Sequence, residues 1–286
     1  MNSKICKALA LTLMALVLVA GTALAQGYGQ GQQPPKQPAP PTQPGQAPAQ
    51  PETPAAPPVN AEEEAGYKAF FELKSDGAEL IIQKGEEFLK KFPESRYRES
   101  VYSKLATAYW ALEDVDKMFA ASEKALELNP NNVDVLSVMA LVMSRRAQPG
   151  SLDFEQKIAK VEKYARQAIT LLGEVQKPAG LTDEEFVNAK NQKLAMVHSG
   201  LGMVYFRQQK IADAIAEFEQ ATMLVPNADP VDYFLLGLCL QQTKRFSDAA
   251  TAFEKCATSP VMQGRCQPEA EKAKKQAAAQ PAPPKP

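Results

Sequence analysis

AIAEFEQATMLVPNA, residues 214–228, sets Ala214, Phe218 and Ala221 four and then three positions apart. That spacing puts the three side chains on one face of a helix, and the stripe runs out at Pro226. Two alanines on a buried face fill little volume, so a neighbouring helix must come close. The neighbour stands just upstream. HSGLGMVYFRQQK, residues 198–210, carries Leu201, Gly202 and Tyr205 at helical spacing ahead of a polar turn. Gly202 is expected to face Ala214, small residues at the crossing letting two antiparallel helices approach to about 8 Å. The unit is a helix, a turn, a second helix and a stop.

The unit recurs along the chain. Tyr102, Leu105, Ala106, Tyr109, Ala125 and Pro130 repeat it, with Met118 and Ser122 in the places of an alanine and an aromatic. Tyr233, Leu236, Gly237, Leu240, Ala249, Phe253 and Cys256 repeat it again. Between these lies an interrupted copy: Leu136, Met139, Ala140 and Met143, a turn lengthened by QPGSLD, then Val161, Ala165 and Ala168. The earliest copy is the weakest, in Phe70, Phe71, Ile81, Phe88 and Pro93. This pattern resembles the tetratricopeptide repeat (TPR), whose signature returns every 34 residues or so. The resemblance covers roughly residues 62–263, and the first copy looks like the variant of cell-envelope members. It implies an all-α fold, a right-handed superhelical solenoid of antiparallel helix pairs in about five units.

Helix ends fit this frame. Asn60 with Glu63, and Thr182 with Glu185, have the spacing of capping boxes. The acidic run Glu62-Glu63-Glu64 suits a solvated first turn. From Thr182 the periodic pattern continues to Gln208, which predicts one unusually long helix. PEAEKAKKQ, with its acids early and lysines late, predicts a polar helix capping the open stack.

The two ends have another character. Lys4 and Lys7 precede an apolar run from Ala8 to Ala20, and Ala23-Leu24-Ala25 offers a small-x-small cleavage site. The expectation is a signal peptide over residues 1–25, with Gln26 as the first mature residue; an uncleaved membrane anchor is the alternative. Cleavage removes two lysines and takes the formal charge from -1 to -3. Residues 26–60 are rich in Gln and Pro and offer little to bury, so a disordered linker is expected. The expected boundaries are then a solenoid over residues 61–266, a capping helix over 267–278 and a disordered tail over 279–286.

Composition argues against chemistry. A net charge of -1 gives no pull towards nucleic acid. His198 is the lone histidine and takes a packing position of the repeat, so no paired-histidine metal site exists. No catalytic residues, metal, cofactor or small-molecule substrate are expected; a wall-active enzyme on a helical solenoid is the remote alternative. Cys239, Cys256 and Cys266 follow the signal. Cys256 and Cys266 flank the break after the last repeat and are expected to pair; a loop of about ten residues contributes roughly 2–3 kcal/mol in the chain-entropy model. Cys239 falls within a repeat helix and reads as a packing residue, and the cysteine spacing fits no zinc signature.

The family resemblance implies that the first helices of successive units line a concave groove for a protein or peptide partner. Carried over, its positions are Ser103, Thr107 and Trp110, then Ser137, Leu141 and Arg145, then Met196, Met203, Phe206 and Arg207, and last Phe234, Leu238 and Gln241. Of these, Trp110, Leu141, Met203, Phe206, Arg207, Phe234 and Leu238 are the candidate partner-binding residues, expected along one open apolar surface; the alternative is a superhelix tight enough to bury them as core. The Lys and Asn residues with which some members clamp a carboxylate are missing, so that activity is not implied. The expected role is a non-enzymatic adaptor in the cell envelope, periplasmic or extracellular; a membrane-anchored assembly subunit is the alternative.

Overall fold

The structure, a computed structural model, describes residues 60–74 and 77–280. The expected signal peptide, nearly all of the linker and most of the tail lie outside those residues. The described chain is eleven helices. They run α1 (Ala61–Phe71), α2 (Ala78–Lys91), α3 (Arg98–Ala111), α4 (Val115–Leu128), α5 (Val133–Arg146) and α6 (Phe154–Glu174). After these come α7 (Asp183–Arg207), α8 (Ile211–Met223), α9 (Pro230–Gln242), α10 (Phe246–Ala257) and α11 (Gln263–Ala278). Consecutive helices pair as five hairpins from α1 to α10, and α11 packs on α10 at the end of the stack. This is the helix-pair solenoid expected from the repeats.

Local chemistry sets the helix boundaries. Asn60, Asp114, Asn132, Thr182 and Asp229 each accept a hydrogen bond from a first-turn N–H of the helix that follows. Thr182 and Glu185 complete a capping box, and α7 extends for 25 residues as its pattern predicted. Asn60 caps α1 alone, because Glu63 turns away to accept from Ser95 Oγ. In three hairpins the turn is closed by a left-handed residue: Glu113, Gln209 and Lys244, at φ near +60°. The residue after each donates its N–H back five positions, to Tyr109, Tyr205 and Leu240 respectively, at 2.9 Å. Those bonds satisfy carbonyls that the helix end would otherwise leave open.

The opening stripe is core. Ala214 and Phe218 are fully buried and Ala221 nearly so. Gly202 does lie in the crossing, but its nearest neighbour is the ring of Phe218, one turn beyond Ala214. A Cβ there would stand 2.7 Å from the ring, and one at Gly237 would stand 2.6 Å from Phe253 in the last hairpin. The glycine makes room for the aromatic, while the alanines merely avoid filling space. Met118 and Ser122 are also fully buried and bonded to one another, Ser122 Oγ donating to the Met118 sulfur.

Two features depart from a regular stack. Residues 135–144 of α5 are all buried, the mark of a helix enclosed on every side. It lies so close to α7 that a Cβ on Gly200 would meet the Ala140 carbonyl oxygen at 2.7 Å. The buried apolar residues also fall into two clusters, one from α1 to α7 and one from the end of α7 to α11. The capping helix corrects an expected boundary. It begins at Gln263 rather than at residue 267, and so includes Cys266, with Pro268 inside its early turns.

Candidate functional groove

Two adjoining depressions open on the face formed by the first helices of the hairpins. The larger, about 710 Å³, is bounded by Trp110 of α3, Leu141 and Arg145 of α5, Met196 of α7 and the connection from Leu224 to Asp229. The smaller, about 590 Å³, runs past Phe71, Ser103, Lys104 and Thr107. Trp110, Gln192 and Met196 belong to both, so the two form one groove.

The candidate residues divide along it. Trp110 and Leu141 line the groove, as do the carried-over positions Ser103, Thr107, Arg145 and Met196. The remaining candidates do not share an open surface, which corrects the expectation. Met203 and Phe234 are 6% and 7% exposed and belong to the second core cluster. Phe234 meets Phe253, and the Arg265 guanidinium of α11 stacks on its ring. Phe206 and Leu238 are half-buried against the same cluster. Arg207 is half-buried; its Nη2 donates to the Arg145 carbonyl at 3.0 Å, and burial lowers its pKa. Leu141 itself is only 5% exposed, so it forms floor rather than wall. Ser137 is fully buried, and Gln241 bonds Gln276 of α11. The physical cause is twofold: α5 presses onto α7 at Gly200, and side chains of the capping helix reach over the last hairpin.

Repeat reasoning missed the other wall. Asn188 and Gln192 lie on the N-terminal extension of α7, which the repeat frame does not number, and Ala195 stands beside the carried-over Met196. It also missed a polar floor. Ser199 and Asp232 are 2% and 3% exposed, and Ser199 Oγ donates to Asp232 Oδ1 at 2.6 Å. Burial, and less strongly Asp229, raise the Asp232 carboxyl to about 7; Ser199 and Arg145 pull it the other way. Arg145 forms an ion pair with Asp229 at the rim. In sequence, Asp229-Pro230-Val231-Asp232 reads simply as the start of a helix; Asp229 is the N-cap and Pro230 opens the first turn, while Asp232, in the same turn, is also buried against Ser199.

Elsewhere the chemistry is structural. His198 Nδ1 lies 2.6 Å from Glu217, across from α7 to α8. Cys256 and Cys266 are fully buried with their Cα atoms 5.8 Å apart, within the range a disulfide needs. Cys239 is buried, and burial pushes its thiol up to about 12. Among the described residues there is no cluster of three metal-ligating side chains, and no helix is long and apolar enough to cross a membrane.

Comparison with known proteins bears on the fold. Tetratricopeptide-repeat family models match residues 99–132, 195–228 and 233–259. These are the three hairpins whose turns carry a left-handed residue other than glycine. Among solved structures the chain is similar to PilW, a widely conserved type IV pilus biogenesis factor, at 15% identity and a TM-score of 0.52. That match covers 77% of this chain and 90% of that one. It is similar to residues 1–338 of Acl4, the assembly chaperone of RpL4, at 14% identity and a TM-score of 0.51, covering 77% and 89%. A thermophilic TPR protein of Thermus thermophilus, TTC0263, aligns at 14% identity and a TM-score of 0.46, covering 74% and 98%. Among curated proteins none matches the chain in sequence. At such identities the likeness is one of fold.

Proposed function

We propose that this chain, a tetratricopeptide-repeat protein, is an exported scaffold that seats a segment of a partner protein in the groove along α3, α5 and α7 and catalyses nothing. The supporting observation is the continuity of the two depressions through Trp110, Gln192 and Met196. A groove with an aromatic and a methionine in its walls offers adaptable apolar contact, and its polar rim fixes register. Export is supported by Lys4, Lys7, the apolar run and Ala23-Leu24-Ala25. A Cys256–Cys266 bridge suits the same compartment. The membrane-anchored reading shares the groove and differs in the N-terminus: a mature protein starting at Gln26 removes it.

Site-specific photocrosslinking tests the proposal. Benzoylphenylalanine at Gln192, in the groove wall, should capture a defined partner in the source cells. The same group at Lys160, on α6 and outside the groove, should not. Equal capture at both positions overturns the groove reading.

A further inference from the structure

We infer that the floor of the larger depression is a receiving pocket for one basic side chain: Asp232, held by Ser199, takes a lysine or arginine of the partner segment. The inference rests on the groove reading and adds the chemistry of what enters it. Asp232 is almost wholly buried, yet it lines the depression. Ser199 occupies Oδ1, and among the described residues no donor is paired with Oδ2. The charged groups around it leave it without a counterion. From α5 it faces Arg145, from the connection before α9 it faces Asp229, and those two are paired with each other. From α7 it faces neutral Ser199. The depression therefore holds one acid in excess.

A carboxylate buried without a counterion is costly, and a stability argument alone would put an apolar residue here. A partner's ammonium or guanidinium supplies the missing charge. Met196 and Leu224 line the same depression, and the aliphatic stem of a lysine or arginine packs on such side chains while its head reaches the acid. The preferred segment carries one basic residue between apolar ones. Its charge is opposite to that of the carboxylate tails some groove-binding repeats take.

Binding also depends on pH. The free carboxyl titrates at about 7, so the cation meets an ionised partner at pH 8 and must displace a proton at pH 5.5. Affinity should fall as pH falls.

The probe is a phage-displayed library of random 12-residue peptides, selected at pH 8 on the whole purified chain. Peptides whose binding shifts Trp110 emission are kept as groove binders. They should share one lysine or arginine flanked by apolar residues. Changing that residue to Gln should weaken binding to the parent protein about tenfold or more, but about twofold or less to Asp232→Asn. Binding to the parent should weaken about tenfold between pH 8 and pH 5.5. Groove binders without a basic residue, or indifferent to its loss, overturn the pocket and leave the groove reading standing. No groove binder at all overturns both. The peptide change is read on the unaltered protein, so the result does not depend on how Asp232→Asn folds.

Discussion

Gly200→Ala tests how the groove is built. A Cβ at this position would stand 2.7 Å from the Ala140 carbonyl oxygen and 2.9 Å from its carbon. Both are backbone atoms of α5, so no rotamer change relieves the clash; the helices must part by several tenths of an ångström. Overpacking of this kind costs about 1–3 kcal/mol, with rigid backbone at the upper end. Alanine's better helix propensity returns about 1 kcal/mol. The net expectation is a loss of about 1–2 kcal/mol. Gly173, near the end of α6, has nothing within 4 Å of its would-be Cβ and is exposed. There Gly→Ala keeps only the propensity gain, about 0.5 kcal/mol so close to a helix end. For a domain of this size the melting temperature should fall by about 2–8 °C in the first variant and rise by about 1–2 °C in the second. Calorimetry of both with the parent checks the signs. If Gly200→Ala stabilises as Gly173→Ala does, α5 and α7 are not in backbone contact and the groove floor is misplaced.

The double change Phe206→Ala with Phe234→Ala should act on stability. Phe234 is core, and its truncation alone costs about 3–5 kcal/mol, a drop on the order of 10 °C; an unchanged melting temperature would return Phe234 to the surface. The Asp232 carboxyl is raised to about 7 from 3.8 in the unfolded chain, so the folded state holds the extra proton between those values. Stability should therefore fall as pH rises from about 4 to 7, by up to about 4 kcal/mol from this group, and level off above. Denaturant titrations across that range should show the fall in the parent, and Asp232→Asn should remove this component of it. Non-reducing peptide mapping of protein made in an oxidising compartment should find Cys256 joined to Cys266, with Cys239 unreactive until the chain unfolds. Labelling of Cys239 in the native state contradicts its burial.

The hairpins were legible because each is local. Spacings such as Ala214, Phe218, Ala221 and the stop at Pro226 report a packed face without knowledge of anything distant. The long α7 was legible for the same reason, through the Thr182–Glu185 box and an unbroken pattern. The groove was legible only in part, because exposure is decided between units. Met203 and Phe234 hold groove positions by repeat count, yet the first is packed in the second core and the second lies under Arg265 of the capping helix. No local spacing says that α5 will close on α7, although Gly200 marks the place once the contact is known. Asp232 was hidden differently. An acid in a first turn after Asp-Pro has an ordinary reading as a helix start, and its partner Ser199 is 33 residues away.

The central claim is that the partner occupies the groove, and Trp110 reports on it directly. It is the chain's single tryptophan and lies where the two depressions meet. Titration of the protein with the polypeptide recovered by crosslinking at Gln192 should move Trp110 emission saturably. The midpoint should equal that of binding measured by calorimetry. Full binding by calorimetry with no change in Trp110 emission would mean that the partner sits elsewhere, and the account would fail.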